Sequence, residues 1–231
     1  MNSLKRGLIV SCQAEDGSPF NSPVFIAAFA KAAELGGAIG VRVRDYENVR
    51  AVKNATKLPI IGLTKSFYKS GKVLITPVID DLLRLADSGA DIVAVDATAR
   101  KRPNGLSGVE FLKLAKSRID IPVMADISRL DEALAAADAG ADFIGTTLSG
   151  YTEDSSPTDG LPDLELIKAI SSRTRTPLIA EGRIWTPEQA KSAIEFGAYA
   201  VCVGSAITRP VDIVQRFALP VMASISSTKQ P

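Results

Sequence analysis

Two side chains that could exchange protons with a substrate stand at the ends of short apolar runs. Lys65 follows "PIIGLT", and Glu181 follows "PLIA". The chain contains no histidine, so proton transfer must fall to Lys, Glu, Asp, Tyr or Cys. A lysine in a partly desolvated pocket has a lowered pKa and can act as a base near neutral pH. With a carboxyl group beside it, this lysine would suit removal of a proton next to a carbonyl. A purely structural Lys65–Glu181 ion pair is the alternative.

Two glycine-containing segments late in the sequence are candidates for binding an anion. "EGRI" ends one apolar run and "GSAITRP" ends the next. Gly182 and Gly204 would let the backbone approach an anion closely. The backbone N–H groups of Arg183 and Ser205 could then point at phosphate oxygens, and Arg209 adds a guanidinium that binds phosphate through two hydrogen bonds. Glycines that only relieve crowding at tight turns are the alternative.

Four more polar side chains follow apolar runs: Gln13, Arg42, Asp96 and Asp126. For the two aspartates, binding a substrate hydroxyl, holding Lys65 and ligating Mg²⁺ are all open. Because the chain has no histidine and no Asp-x-Asp pair, we expect no metal centre.

The elements that would position these side chains alternate along the chain. Eight apolar runs of strand length are separated by stretches with helical spacing, and they cover residues 7–13, 38–43, 59–65, 91–97, 122–127, 143–148, 177–182 and 200–207. Continuous apolar runs are typical of parallel strands covered on both faces. Eight strand–helix units predict an α/β fold, the (β/α)₈ TIM barrel, formed by residues 1–231 as one domain. Barrel active sites lie at the C-terminal ends of the strands, where the polar residues above would meet. An open doubly wound sheet is the alternative.

Two of the predicted helices have clear start signals. Ser22 and Thr186 are expected N-caps, each followed by a proline at the first helical position, Pro23 and Pro187.

Composition excludes several classes of partner. The net charge is +1 and no basic stripe is present, which argues against nucleic acid as a partner. No apolar run approaches the length of a membrane span, and the N-terminal apolar stretch is too short for a signal peptide. The two cysteines, Cys12 and Cys202, do not suggest a disulfide scaffold. We therefore expect a cytoplasmic protein that acts on a small molecule; a homodimer is one open oligomeric state.

Several longer motifs resemble the N-acetylmannosamine-6-phosphate 2-epimerases of bacterial sialic-acid catabolism. The blocks occur in the expected order over almost the whole chain, and they include "IVSCQA" (9–14), "PIIGLTK" (59–65), "DIVAVDATARKRP" (91–103), "GTTLSGYT" (145–152), "IAEGRIWTPEQA" (179–190) and "GSAITRP" (204–210). "CQA", "DATxRxRP" and "GTTLSGYT" are the most specific of them. Val78 stands where the family has threonine, and Arg44 where it tends to have a small residue.

The resemblance implies an activity and a set of site residues. It implies interconversion of N-acetylmannosamine 6-phosphate and N-acetylglucosamine 6-phosphate, a phosphosugar reaction that needs no cofactor. Lys65 and Glu181 match the family's catalytic pair, and its substrate contacts match Gln13, Arg42, Asp126 and Arg209.

Three other functions are compatible with parts of the pattern. Another phosphosugar isomerase or biosynthetic barrel would share the two anion-binding segments. A deoxyribose-phosphate-type aldolase would use a lysine to form a Schiff base. A barrel that binds a sugar phosphate without turning it over is the third, and it would not need to keep both Lys65 and Glu181.

Overall fold

Eight parallel strands close into a barrel in the computed structural model, which describes residues 4–155 and 159–227. The strands are β1 (Gly7–Cys12), β2 (Gly40–Arg44), β3 (Ile60–Leu63), β4 (Ile92–Asp96), β5 (Val123–Asp126), β6 (Phe143–Gly145), β7 (Leu178–Glu181) and β8 (Ala200–Val203). Each strand pairs with the next, and β8 pairs with β1. The predicted (β/α)₈ barrel is therefore confirmed, and each expected apolar run contains one strand. An open doubly wound sheet is excluded because both of its edge strands would be unpaired.

Helices surround the barrel between the strands. They are α1 (Pro23–Leu35), α2 (Tyr46–Ala55), α3 (Ile79–Asp87), α4 (Gly108–Lys116), α5 (Leu130–Asp138), α6 (Leu164–Ser171), α7 (Pro187–Glu195), α8 (Ser205–Thr208) and α9 (Pro210–Ser227). Both predicted helix starts are confirmed. Ser22 is the N-cap of α1 without a side-chain capping bond, whereas Thr186 forms a reciprocal capping box with Gln189 at the start of α7.

The core has two layers, which explains the continuous apolar runs. Alternate strand residues point to opposite faces of the sheet. One set fills the barrel interior and includes Ile9, Ile61, Met124 and Ile179. The other set, such as Ala125, packs against the helices. Because both faces are buried, the strands are apolar except toward their C-terminal ends, where Ser11 and Arg42 lie, and the polar side chains accordingly gather at the barrel mouth.

The last helix departs from this arrangement. α9 packs mainly against α8 rather than against a strand, and none of its described side chains is buried. Its exposed apolar residues are Val211, Val214, Phe217, Leu219, Val221, Met222 and Ile225. Next to α7, the outer faces of β1 and β8 border an apolar groove of about 510 Å³. None of the described helices is long and apolar enough to span a membrane.

Candidate active site

A cavity of about 430 Å³ opens at the C-terminal ends of the strands. Nine of the eleven candidate residues line it: Gln13, Arg42, Lys65, Glu181, Gly182, Arg183, Gly204, Ser205 and Arg209. The other two, Asp96 and Asp126, are fully buried. The barrel thus brings together residues that are as much as 196 positions apart in the sequence (Gln13 to Arg209).

A buried arginine joins two carboxylates at the floor of the cavity. Arg42 Nη2 lies 2.6 Å from Asp126 Oδ2, and its Nη1 lies 2.9 Å from Glu181 Oε2. The guanidinium is only 1% exposed. Burial by itself would lower the pKa of Arg42, but the charges of Asp126 and Glu181 outweigh it and raise that pKa. Arg42 therefore keeps its charge at any working pH.

Asp126 lies beneath the cavity wall and supports two of its residues. Both of its carboxylate oxygens accept hydrogen bonds from Arg42, and Oδ1 also accepts one from Thr147 Oγ1 at 2.7 Å. The carboxylate has no exposed surface. Asp126 holds Arg42 and Thr147, and these two residues line the cavity; its direct contact with a substrate stays a prediction.

Glu181 presents its carboxylate to the cavity at the end of β7. The side chain is 14% exposed. Burial raises the pKa of Glu181, Arg42 opposes that rise, and Asp126 adds to it. The backbone is fixed on both sides, since Thr146 Oγ1 accepts from the Glu181 N–H at 3.0 Å and donates to its carbonyl at 3.0 Å. The Lys65–Glu181 ion pair considered above does not form, because Arg42 takes the carboxylate instead.

Lys65 lies two residues after the end of β3 and beside three guanidinium groups. Solvent reaches its side chain through the cavity mouth, but protein surrounds it on the remaining sides. Desolvation by that protein is the main reason that the pKa of Lys65 falls to about 8, and the charges of Arg209 and Arg42 lower it further. No carboxylate forms an ion pair with this ammonium among the described residues. A lysine in this state is partly neutral near pH 8, as a general base requires.

The two glycine segments meet on one wall of the cavity. Gly182 and Arg183 both have positive φ, at 116° and 55°, which turns the chain sharply after β7. In the described part of the chain, the N–H groups of these two residues and of Gly204 and Ser205 are paired with no backbone carbonyl. The Arg183 side chain points away, because its Nη1 and Nε donate to the carbonyls of Ser149 and Leu161. Only the backbone of this residue is free to bind an anion.

Arg209 stands at the rim, next to the glycine segments. Its Nη1 lies 2.5 Å from Glu15 Oε1 and 3.3 Å from Ser205 Oγ. The Glu15 side chain is 43% exposed and that of Arg209 23%, so solvent reaches both groups and the pair is a weak surface ion pair. A phosphate group can therefore displace the Glu15 carboxylate from Arg209 at little cost.

Gln13 carries a buried acceptor without a partner. Its Nε2 donates to Ser11 Oγ at 2.8 Å, whereas Oε1 has no hydrogen-bond partner among the described residues. Unpaired buried acceptors are uncommon in folded proteins. This one lies in the lining of the cavity, where a ligand hydrogen could satisfy it.

Sequence reasoning missed several residues of the cavity wall. Ser11, Leu74, Arg100, Tyr151 and Trp185 line the cavity and received no role above. Arg100 had a usable signal, its place in "DATARKRP". Ser11 and Trp185 had the same kind of signal, since they lie in the quoted blocks 9–14 and 179–190. No group of three or more His, Cys, Asp or Glu side chains that could hold a metal ion occurs in the described ranges.

Fold and site together define a (β/α)₈ barrel whose C-terminal mouth holds a lysine of lowered pKa, an Arg42–Glu181 ion pair and a wall of backbone N–H groups without carbonyl partners. Residues 26–223 match the family described as "NanE: Putative N-acetylmannosamine-6-phosphate epimerase". The chain belongs to this family.

Relatives and solved structures agree with that assignment. A "Putative N-acetylmannosamine-6-phosphate 2-epimerase" of Caldanaerobacter subterraneus subsp. tengcongensis is 50% identical over 94% of this chain and 92% of its own length. The "Bifunctional enzyme NanE/NanK" of Brucella melitensis is also 50% identical over 94% of this chain, which matches 41% of that longer protein. The solved structure of the N-acetylmannosamine-6-phosphate 2-epimerase from Clostridium perfringens superposes with a TM-score of 0.89, at 39% identity and 93% coverage of both chains. A thiamine phosphate pyrophosphorylase from Pyrococcus furiosus shares only the fold, at 20% identity and a TM-score of 0.61.

Proposed function

We propose that this protein interconverts N-acetylmannosamine 6-phosphate and N-acetylglucosamine 6-phosphate by moving a proton at C2, in sialic-acid and amino-sugar catabolism. The observation that carries the proposal is Lys65, a lysine with a lowered pKa that faces a cavity between an Arg42–Glu181 pair and a wall of free backbone N–H groups. The names of the related proteins supply the substrate.

The chemistry that the reaction needs matches these groups one by one. The C2 proton is acidic only when the sugar ring is open and C1 is an aldehyde. Lys65 then removes the proton, and the permanently charged Arg42 stabilises the enolate oxygen that develops. Reprotonation on the opposite face inverts C2. Glu181 either delivers that second proton or moves protons among the sugar oxygens.

Binding is divided between the two ends of the substrate. The N–H groups of Gly182, Arg183, Gly204 and Ser205 and the guanidinium of Arg209 hold the phosphate. Gln13 Oε1 accepts a hydrogen from the sugar or its acetamido group, and Asp126 acts through Arg42. Phosphate binding is remote from C2, so its binding energy keeps the open-chain sugar in place during proton transfer. No part of this scheme calls for a cofactor.

Proton NMR in D₂O tests the proposal. The protein incubated with N-acetylmannosamine 6-phosphate is expected to introduce deuterium at C2 and to produce the N-acetylglucosamine epimer. Unphosphorylated N-acetylmannosamine, the matched control, should react at least about 100-fold less efficiently because the remote binding energy is lost. Neither exchange nor epimer with the phosphosugar would refute the proposed activity, and equal efficiency with both sugars would refute phosphate anchoring.

The same sample distinguishes the aldolase alternative. Borohydride added during turnover reduces an imine between Lys65 and a substrate carbonyl and leaves a stable mass increase. Proton transfer forms no imine, so no mass increase at Lys65 is expected. A reduced adduct at this lysine would favour Schiff-base chemistry.

We further propose that the protein is a homodimer in which each α9 lies in the apolar groove of the other copy. In this fold the helix that follows a strand covers that strand, and α9 is the long helix that follows β8. Arg216 lies 4.6 Å over the Trp185 ring of its own barrel, yet Val214 and Phe217 are 65% and 72% exposed. A reciprocal exchange between two copies covers both apolar surfaces and closes with two-fold symmetry.

Replacement of Phe217 by glutamate is expected to convert the dimer to a monomer at micromolar concentration, because a buried unpaired carboxylate would oppose docking in the groove. Sedimentation equilibrium measures the mass. Leu35→Glu, a substitution at an equally exposed leucine on α1, is the control and should leave the dimer intact. A monomeric unmodified protein, or a dimeric F217E protein, would contradict this arrangement.

The cytoplasmic location expected from the sequence is part of the proposal. Both cysteines are free and buried, which is consistent with a reducing compartment.

A further inference from the structure

The segment between β3 and α3 folds back on itself next to Lys65. Lys65 pairs with Ile75 in an antiparallel bridge. The N–H of Ser66 donates to the Leu74 carbonyl, and the N–H of Thr76 donates to the Thr64 carbonyl, both at 3.1 Å. Residues 74–77, the returning arm, therefore set the position of the backbone at Lys65. Leu74 and Ile75 of this arm also line the cavity.

A single side chain, Arg102, ties the returning arm to β4. Its Nη1 donates to the carbonyls of Thr76 and Pro77 at 3.2 and 3.0 Å, and its Nη2 donates to the carbonyl of Asp96. The N–H of Asp96 in turn donates to the Ile75 carbonyl at 3.0 Å. Arg102 belongs to "DATARKRP", a motif that the proposed chemistry leaves without a role.

Arg102 is a buried cation without an ion pair in the described chain. It is 1% exposed, and its guanidinium lies 3.7 Å over the Phe111 ring. Its Nε has no hydrogen-bond partner there. Burial lowers the pKa of Arg102 to about 10, against the opposing charge of Asp96. A buried charge is costly, so an apolar side chain would serve packing better at this position. The capture of three carbonyls at fixed places, together with the contact with the Phe111 ring, accounts for a guanidinium.

The tip of the β3–α3 segment packs closely against the residues around Arg102. The Lys72 N–H donates to the Lys101 carbonyl at 2.7 Å. A Cβ atom at Gly71 would lie 2.8 Å from Pro103 N, which is too close for any other residue without a shift. Residues 101–103 and the segment thus form one packed unit, so a change at Arg102 is transmitted to the segment.

We propose that Arg102 is a positioning residue that fixes the returning arm and thereby holds Lys65 at the cavity in a partly desolvated state. The inference rests on the proposed function in one respect, the use of Lys65 as the C2 base.

The electrostatic surroundings of Lys65 predict what the loss of Arg102 does. The charged groups that face it come from β2 and the residue after it, from β7 and from the loop after α8; they are Arg42, Arg44, Asp45, Glu181 and Arg209. None of them belongs to the returning arm, which contributes apolar wall. If the arm loosens, water reaches the ammonium from a further side, in addition to the cavity mouth, while these charges stay. The pKa of Lys65 then rises from about 8 toward its ordinary value of 10.5.

Two variants and one control test this role. Arg102→Met removes the hydrogen bonds, Arg102→Lys keeps the charge without the planar fork, and Arg84→Met removes an exposed arginine that lies 3.9 Å over the Tyr46 ring. The pKa of Lys65 is measured without substrate, from the pH dependence of its acylation by an amine-reactive ester, quantified by peptide mass spectrometry. Rates of C2 exchange and thermal unfolding are measured in parallel.

Both Arg102 variants should show a higher Lys65 pKa and about 10- to 100-fold lower kcat with little change in KM, whereas Arg84→Met should match the unmodified protein. If the Arg102→Met protein fails to fold, the measurements on Arg102→Lys test the proposal. Lower stability with an unchanged Lys65 pKa and an unchanged kcat would reduce Arg102 to a structural residue and overturn the proposal. An unmodified protein without turnover would refute the epimerase function, and the acylation experiment would still decide whether Arg102 controls Lys65.

Discussion

Replacement of Lys65 by methionine is expected to lower the rate of C2 exchange by between about 100- and 10,000-fold, the range that a positioned general base contributes. Methionine keeps most of the volume of the side chain and removes the amine. Stability should not fall, because three guanidinium groups already disfavour a charge at this position. Deuterium incorporation from D₂O measures the rate. Lys69→Met, a substitution at an exposed lysine of the same segment, is the control and should exchange at the rate of the unmodified protein.

The pH dependence of the reaction should also reveal Lys65 as the base. Lys65 is the base only when it is neutral, and its pKa is about 8. The value of kcat/KM should therefore rise tenfold for each pH unit below about 8 and level off above it. The residual activity of the Lys65→Met protein should lack this inflection. Exchange by that variant at nearly the original rate would remove Lys65 from the mechanism.

Replacement of Arg42 by methionine is expected to lower the free energy of unfolding by about 3–5 kcal/mol near pH 7, the cost of leaving a buried charge unpaired. Asp126 has no exposed surface and Glu181 has little, so water cannot take the place of the guanidinium. Without the guanidinium, burial raises the pKa of Glu181 further. Protonation stabilises a folded state with a raised pKa, so the variant should regain more stability than the unmodified protein as the pH falls from 7 toward 5.

Denaturant unfolding at several pH values measures this effect. The double variant Arg42→Met/Glu181→Gln has one buried charge fewer and should be more stable than the single Arg42→Met variant at pH 7. A loss below about 1 kcal/mol that does not change with pH would show that water already solvates the pair.

The fold and the residues that line the cavity could be predicted from the sequence because both follow from local sequence patterns. A parallel strand that is buried on both faces is apolar until it ends, so the first polar residue after each run marks the barrel mouth. That rule led to Gln13, Lys65 and Glu181 directly. The single domain over residues 1–231 and the roles of the site residues stay predictions.

What could not be predicted depends on which polar groups satisfy one another. Arg42 and Asp126 both follow apolar runs, but no local sequence pattern shows that Asp126 lies beneath Arg42 and forms an ion pair with it. The choice of Arg42 over Lys65 as the partner of Glu181 is likewise a matter of distances across the barrel. Position alone therefore identified the site, but it could not separate groups that face the cavity from groups that support them.

The pairing of β1 with β8 has a consequence for synthesis on the ribosome. Gln13 lies near the start of the chain, and the proposed anion-binding wall includes Ser205 and Arg209 near its end. Until β8 has emerged, β1 and β7 each keep an unpaired edge that can capture another strand. We therefore expect the nascent protein to depend on chaperones until its last strand is made, and to acquire its affinity for phosphosugar only when the ring of strands is complete.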